Sequence, residues 1–278
     1  MIIVRFQGGL GNQMFQYGLY KELKLYRNDV KADIIPYTSH RDKRSFELEE
    51  AFGIKLDVAT PKEIFKLAGG ECSWQERMIR KYLKSNNICR EDEIGNIEDI
   101  IQKKDVYVDG YWQSEDWFRD VKEDLRRDFQ FKNNMIIDEM CQVISEVDSV
   151  SIHVRMGDYL ENESLYGGIC TKKYYESAIQ YIRKVVENPK FYIFSDEPEK
   201  AKEMLGELEG ANYIIDSEKD YYDMQLMSWC KNNILANSSF SWWGAWLNNN
   251  LQKIVIAPNK WNNINRLENI FVNNWIRL

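Results

Sequence analysis

Four short stretches of this chain place side chains that handle anions or protons close together. In His153-Val154-Arg155-Met156-Gly157-Asp158-Tyr159 an imidazole, a guanidinium and a carboxylate follow one another. If the preceding residues form a strand, alternation sets His153 and Arg155 on the same face. A guanidinium grips two phosphate oxygens at once, and Asp158 is a candidate general base. Any one of these residues alone reads as core, or as an Arg155–Asp158 ion pair; three together at a strand end favour a site. A second stretch, Asn237-Ser238-Ser239-Phe240-Ser241-Trp242-Trp243-Gly244-Ala245-Trp246-Leu247, sets serines before a helix start. Hydroxyls and unpaired helix N–H groups make an anion cradle that needs no metal. Trp242, Trp243 and Trp246 fit core packing better than a sugar platform.

The other two stretches are less specific. In Phe194-Ser195-Asp196-Glu197-Pro198, Asp196 either caps the helix that follows or binds ribose hydroxyls or a base edge. Gly8-Gly9-Leu10-Gly11-Asn12-Gln13 reads as a strand-to-helix turn whose glycines let the backbone approach a ligand. It lacks the third glycine of a dinucleotide fingerprint, where Met14 stands, and no Lys-Ser/Thr follows as in a Walker loop. Asn12 and Gln13 add two amides that the turn itself does not need.

The elements that must position these groups follow from hydrophobic pattern. Strands are expected at Ile2–Gln7, Val30–Ile35 and Val106–Tyr111, then at Ser149–Val154, Phe191–Phe194, Tyr213–Ile215, Asn233–Leu235 and Ile254–Ala257. Phe15, Leu19, Leu23 and Tyr26 recur at helical spacing, which predicts a helix over Asn12–Arg27. Ser114 caps a helix whose stripe is Phe118, Val121, Leu125 and Phe129. Another helix starts at Thr171, turns Tyr175, Ala178, Ile179, Ile182 and Val186 inward, and stops before Pro189. Buried strands alternating with helices imply parallel, doubly wound sheets. The expectation is two α/β domains, 1–148 and 149–278, around a cleft, with ligands beyond the carboxyl ends of the strands.

Composition narrows the function. The chain has 278 residues, 44% hydrophobic and 29% charged, with only 5 prolines and 15 glycines, which excludes disordered or collagen-like material. A formal net charge of −7 argues against a nucleic-acid partner. No apolar run is long enough to span a bilayer, and the start, Met1-Ile2-Ile3-Val4, reads as a strand and not a signal peptide. Five scattered cysteines suit reduced thiols in a cytoplasmic protein. Two histidines, His40 and His153, cannot build a His-rich zinc site.

Gly8 to Tyr17, His153 to Tyr159 and Asn237 to Leu247 together resemble the motifs of the α-1,2-fucosyltransferases of glycosyltransferase family 11, in the same order. The family pattern is G-G-L-G-N-Q-(L/M)-F-Q-Y, H-x-R-x-G-D-Y and N-S-(S/T)-F-S-W-W-(G/S)-A-W-L. The absence of a membrane anchor makes the chain similar to the soluble bacterial members, which act in O-antigen biosynthesis. The resemblance implies a GT-B-like fold, two Rossmann-like domains facing a central cleft. The first domain would take the acceptor and the second GDP-fucose, with the last helix packing back on the first. It implies inverting, metal-independent transfer from GDP-β-L-fucose to the 2-hydroxyl of a terminal galactoside. Arg155 would hold the pyrophosphate and stabilise departing GDP; His153, Asp196, Ser238, Ser239 and Phe240 would line the GDP site. Gly9, Gly11, Asn12 and Gln13 would face the acceptor and reaction centre, Asn12 with a catalytic part. Asp158 would be the base or would hold Arg155. The implied partners are GDP-fucose and a galactose-terminated oligosaccharide, with peripheral membrane association where the acceptor is lipid-linked. Two other classes stay open on the residues alone: an NAD-dependent Rossmann enzyme, and a non-catalytic carbohydrate-binding protein using its nine tryptophans.

Overall fold

A β-branched opening, Ile2-Ile3-Val4, forms the wholly buried centre of β1 (Ile2–Arg5). In the computed structural model, residues 1–39, 42, 44–69, 87–157, 162–214, 218–264 and 268–278 are described. They fall into two units, Met1–Lys132 and Asn133–Leu278.

In the first unit β1 runs into α1 (Leu10–Tyr26), which buries Met14, Phe15, Leu19 and Leu23. β2 (Val30–Asp33) follows, then α2 (Pro61–Ala68), opened by a reciprocal cap between Thr60 and Glu63. β3 (Ile88–Arg90) and β4 (Val106–Asp109) complete a parallel sheet in the order β2-β1-β4-β3. The three expected strands are present but end earlier than their apolar pattern. Gly8 turns the chain at φ +81 after β1, and residues 35–38 coil into a short helix after β2. The single helix expected after Ser114 is broken. Ser114 does cap, accepting the Asp116 N–H. The chain then makes tight turns over Glu115–Val121, with Phe118 at φ −143 and ψ 37, before α3 (Lys122–Asp128). The break lets Phe118, fully buried, lie on α1 at Gly18, where an added Cβ would come within 2.8 Å of the ring.

The second unit begins with α4 (Met135–Glu146), capped by Asn134, which moves the boundary upstream of the expected 148/149 division. The physical reason is where α4 packs. It buries Ile137, Cys141 and Ile144, Asn134 donates to the Tyr222 hydroxyl at 2.9 Å, and Gln225 donates to Asp138 at 3.1 Å. β5 (Ser149–Val154) is buried along its whole length. After it come α5 (Lys172–Val185), β6 (Lys190–Ser195), α6 (Pro198–Leu205) and β7 (Ala211–Ile214). α7 (Asp220–Trp229), β8 (Asn232–Ile234), α8 (Ser239–Leu247), β9 (Val255–Ala257) and β10 (Ile276–Arg277) follow. All neighbours are parallel, in the order β7-β6-β5-β8-β9-β10. The chain therefore starts this sheet in the middle, winds outward to β7, and returns to build the other side from β8. The point of reversal lies between β5 and β8, where open α/β sheets bind ligands. Among the described residues after β9, a tight turn at Glu268–Ile270 leads to β10, hydrogen-bonded into this sheet beside β9; no longer helix is seen among them to pack back on the first unit.

The tryptophans of α8 are core. Trp242 and Trp243 are 0% exposed and Trp246 4%, and Trp242 donates to the Ile270 carbonyl at 2.6 Å. Trp243 stands edge-on to Trp242 and Trp246, with centroids 4.8 Å and 5.1 Å away. Trp243→Ala removes an interior ring and should cost about 3–5 kcal/mol. In chemical denaturation this appears as a lower midpoint; a change within error would mean that the cluster collapses to fill the gap.

Candidate active site

The loop beyond β5 is built around one carboxylate. Asp196, just past the end of β6, accepts the Met156 N–H at 3.0 Å with Oδ1 and the Gly157 N–H at 2.9 Å with Oδ2. The Arg155 guanidinium sits 3.3 Å from the same Oδ2. β5 and β6 pair in register up to Val154 and Ser195, so the two loops leave the sheet side by side. Gly157 is needed there, because a Cβ would fall 2.6 Å from Asp196 Oδ2. This corrects the expectation that Asp196 caps a helix. It does not cap α6, whose preceding residue Glu197 donates its N–H to Ser195 Oγ. Both of its oxygens hold the 155–157 loop, and the side chain keeps 23% exposure. It fills the Arg155-holding role weighed for Asp158, which lies outside the described residues, as does His40.

His153 is 4% exposed, its ring centroid 5.9 Å from that of Phe240. Burial, reinforced by the Arg155 charge and opposed by Asp196, pushes its pKa down to about 3, so the imidazole is neutral. Its Nδ1 is buried without a hydrogen-bond partner in the structure. The Tyr175 hydroxyl donates to the His153 carbonyl at 2.9 Å and anchors the strand end. The Phe240 contact follows from topology, because β8 is the neighbour of β5 and α8 begins just beyond it.

The serine turn divides its labour. Ser238 accepts the Phe240 N–H at 3.3 Å as the cap of α8. Ser241 is wholly buried and donates to the carbonyls of Ala236 and Ser238. Asn237 donates to Trp261 O at 3.0 Å and accepts from the Cys170 thiol at 3.3 Å, fixing the approach to the helix. Ser239 and Phe240, half-buried, form the open face of the helix start. Within this unit the structure thus brings His153, Arg155, Ser238, Ser239 and Phe240 to the β5–β8 reversal, with Asp196 behind Arg155. A forked cation and a helix N-terminus at one strand edge can bind a diphosphate.

The first unit repeats the device with amides. Gly8 donates to Asp42 at 2.6 Å, and its carbonyl accepts from the Tyr37 hydroxyl at 2.8 Å. Gly9 precedes α1, its carbonyl accepting from Asn12 and Gln13 N–H, and a Cβ on it would lie 2.7 Å from Arg44 Nη1. Gly11 is buried in the first helical turn. Gln13 departs from expectation: it is 0% exposed and tied to Gly8 O, Ser45 O and Glu47 N, so it holds the turn and faces no ligand. Asn12 is partly exposed, its Oδ1 accepting from Gln113 at 2.8 Å. Gln113, and Gln16 bridging Gln7 and the Gly110 carbonyl, were not singled out from sequence. The available signal is a pair of amides, Gln13 and Gln16, one turn apart on the buried face of α1.

Two parallel doubly wound units, one ending in an arginine and a helix N-terminus at its reversal point, make a fold of the GT-B class. The chain belongs to glycosyl transferase family 11, whose model matches residues 1–278. It is 35% identical to the alpha-1,2-colitosyltransferase of Escherichia coli over 271 residues, covering 94% of this chain and 92% of that one. It is 32% identical to the O-antigen biosynthesis glycosyltransferase WbnK of Escherichia coli over 305 residues, covering 98% of each. Among solved structures it resembles the NodZ alpha-1,6-fucosyltransferase soaked with GDP-fucose. That match has a TM-score of 0.51 at 14% identity, covering 88% of this chain and 91% of that one, and shows a shared fold. Among the described residues no helix is long and apolar enough to cross a membrane.

The neutral His153 gives a pH signature. Its folded pKa of about 3 lies below the ordinary 6.5, so between these values the unfolded chain binds more protons. The stabilising contribution is complete above pH 6.5 and is lost as pH falls toward 3. His153→Gln should therefore flatten the fall in stability between pH 6.5 and 4, read from denaturation midpoints. An unchanged slope would mean that His153 protonates freely in the fold.

Proposed function

We propose that the chain transfers L-fucose from GDP-β-L-fucose to the 2-hydroxyl of a terminal galactoside, with inversion, to form an α-1,2 linkage. The observation that carries this reading is the braced Arg155 beside the start of α8, in a family 11 chain 35% identical to an α-1,2-transferase. As the C1–oxygen bond breaks, negative charge develops on the departing diphosphate. The planar guanidinium, fixed by Asp196 before reaction begins, and the N–H groups at the start of α8 meet that charge. Preorganised donors of this kind support metal-independent transfer, because they supply the counter-charge themselves. Neutral His153 offers a hydrogen-bonding ring and no second positive charge, and Phe240 packs against it.

Inversion requires the acceptor hydroxyl to attack C1 from the face opposite GDP while a base takes its proton. Asp158 is assigned to that step, and Asn12 to the reaction-centre side of the first unit. The acceptor is read as the end of a galactose-terminated oligosaccharide of the O-antigen or lactose type, used in the cytoplasm. A second donor is favoured by the colitosyltransferase relative. Colitose is fucose without its 3-hydroxyl, so the two sugars differ by one hydrogen-bonding group. A site that pairs that hydroxyl rejects the deoxy sugar strongly, by about 10⁴–10⁵-fold.

The test is transfer from GDP-fucose and from GDP-colitose to galactosides, in excess EDTA and in magnesium, with the product linkage read by NMR. GDP-fucose should be preferred and EDTA without effect. Arg155→Ala should lower turnover by about 10²–10³-fold, and Arg155→Lys should not restore it, because a point charge cannot replace the fork. Substantial turnover in Arg155→Ala would remove the leaving-group role; preference for GDP-colitose would replace the donor.

A further inference from the structure

The chain leaves β4 through Gly110, Tyr111, Trp112 and Gln113 in a conformation that its residue types resist. Trp112 stands at φ 57, the one non-glycine residue at positive φ among the described residues. Bulky side chains avoid this region. The indole is 0% exposed, edge-on to Trp117 at 4.8 Å, and its buried Nε1 has no hydrogen-bond partner in the structure. Gly110 admits no side chain, since a Cβ would lie 2.7 Å from the Glu91 Cβ.

Glu91 is the brace. The β3–β4 ladder pairs Arg90 with Asp109 and so sets Glu91 beside Gly110. Its carboxylate accepts the Tyr111 N–H at 2.8 Å, and the backbone of Trp112 and Gln113 favours its charged form. A carboxylate, a space-limited glycine and a strained tryptophan are thus concentrated on one short turn. Such strain persists only where surrounding structure over-determines it, and it clusters at ligand sites.

The turn has two results. Tyr111 faces outward, 45% exposed, while Tyr107 at the heart of β4 and the adjoining Trp112 are buried. Gln113 is returned toward α1, where it fixes the Asn12 amide. Tyr111 also lies within the electrostatic reach of Asp42, Arg5, Asp109 and Arg44, of which Arg5 and Asp109 pair at 3.2 Å. An exposed aromatic face with charged groups in electrostatic range, on the turn that also delivers an oriented amide pair, suits a sugar ring, which offers a C–H face and a rim of hydroxyls.

We propose that the turn beyond β4 is the subsite for the terminal galactoside of the acceptor, with Tyr111 as its stacking platform and Asn12 and Gln113 bonding its hydroxyls. The proposal rests on the transfer reading above and adds the residues that select the acceptor. It is tested with lactose, galactosyl-β-1,3-N-acetylglucosamine and galactosyl-β-1,3-N-acetylgalactosamine. Binding is followed by saturation-transfer NMR in the presence of GDP, and acceptor KM is measured with GDP-fucose. Tyr111→Ala, at an exposed position, should raise acceptor KM and weaken galactoside binding by about tenfold. GDP affinity should stay at the wild-type level, and Tyr111→Phe should behave close to wild type. If Tyr111→Ala binds and fucosylates the galactosides as the wild type does, the subsite is overturned and the transfer reading survives. A wild type that binds none of the three overturns both. Loss of galactoside binding in Tyr111→Ala of a chain that transfers no fucose overturns the transfer reading and supports the subsite.

Discussion

The Asp196 carboxylate is the constraint on which the candidate donor site depends. It holds two successive backbone N–H groups and the guanidinium of the residue before them. It thereby fixes the start of the loop leaving β5 and gives the Arg155 guanidinium a charged partner. Hydrogen bonds between an ionised oxygen and N–H groups are among the stronger contacts available at a protein surface. Here they order a loop that must otherwise bear the entropy of a floppy arginine. The carboxylate lies partly solvated at 23% side-chain exposure, so the brace works without the cost of burying a lone charge.

The two units solve the same problem with different chemistry. Each parallel sheet starts at a central strand and presents its functional groups at the carboxyl ends, where neighbouring loops diverge. In the second unit the groups are charged: Arg155, Asp196 and the start of α8. In the first they are amides: Gln13 and Gln16 hold backbone, while Gln113 orients Asn12.

The architecture was legible in the sequence because buried parallel strands and amphipathic helices leave strong periodic signals. β5, α1 and the helix capped by Thr171 lie close to where pattern placed them. β3 was missed because Ile88-Cys89-Arg90 is too short to carry a period. The domain boundary was misplaced because α4 is joined to its unit through tertiary contacts with Tyr222 and Gln225, which no local pattern records. The site followed the same division. The types His153, Arg155 and Ser238 were readable at strand ends, but the role of Asp196 was not, because its partners Met156 and Gly157 offer only backbone N–H groups. Gln13 was misjudged for a related reason: an amide beside a glycine turn looks the same in sequence whether it faces a ligand or holds the loop.

The most direct measurement compares GDP and guanosine binding by calorimetry in wild type and Asp196→Asn. An asparagine of the same shape loses the charge facing Arg155 and turns one N–H donor toward another. If Asp196 acts by holding Arg155, affinity for GDP falls by about 10–100-fold, the scale of lost orienting partners, while guanosine binds as before. If Asp196 touched ribose or base directly, guanosine and GDP would weaken by the same factor, and the bracing role would be wrong.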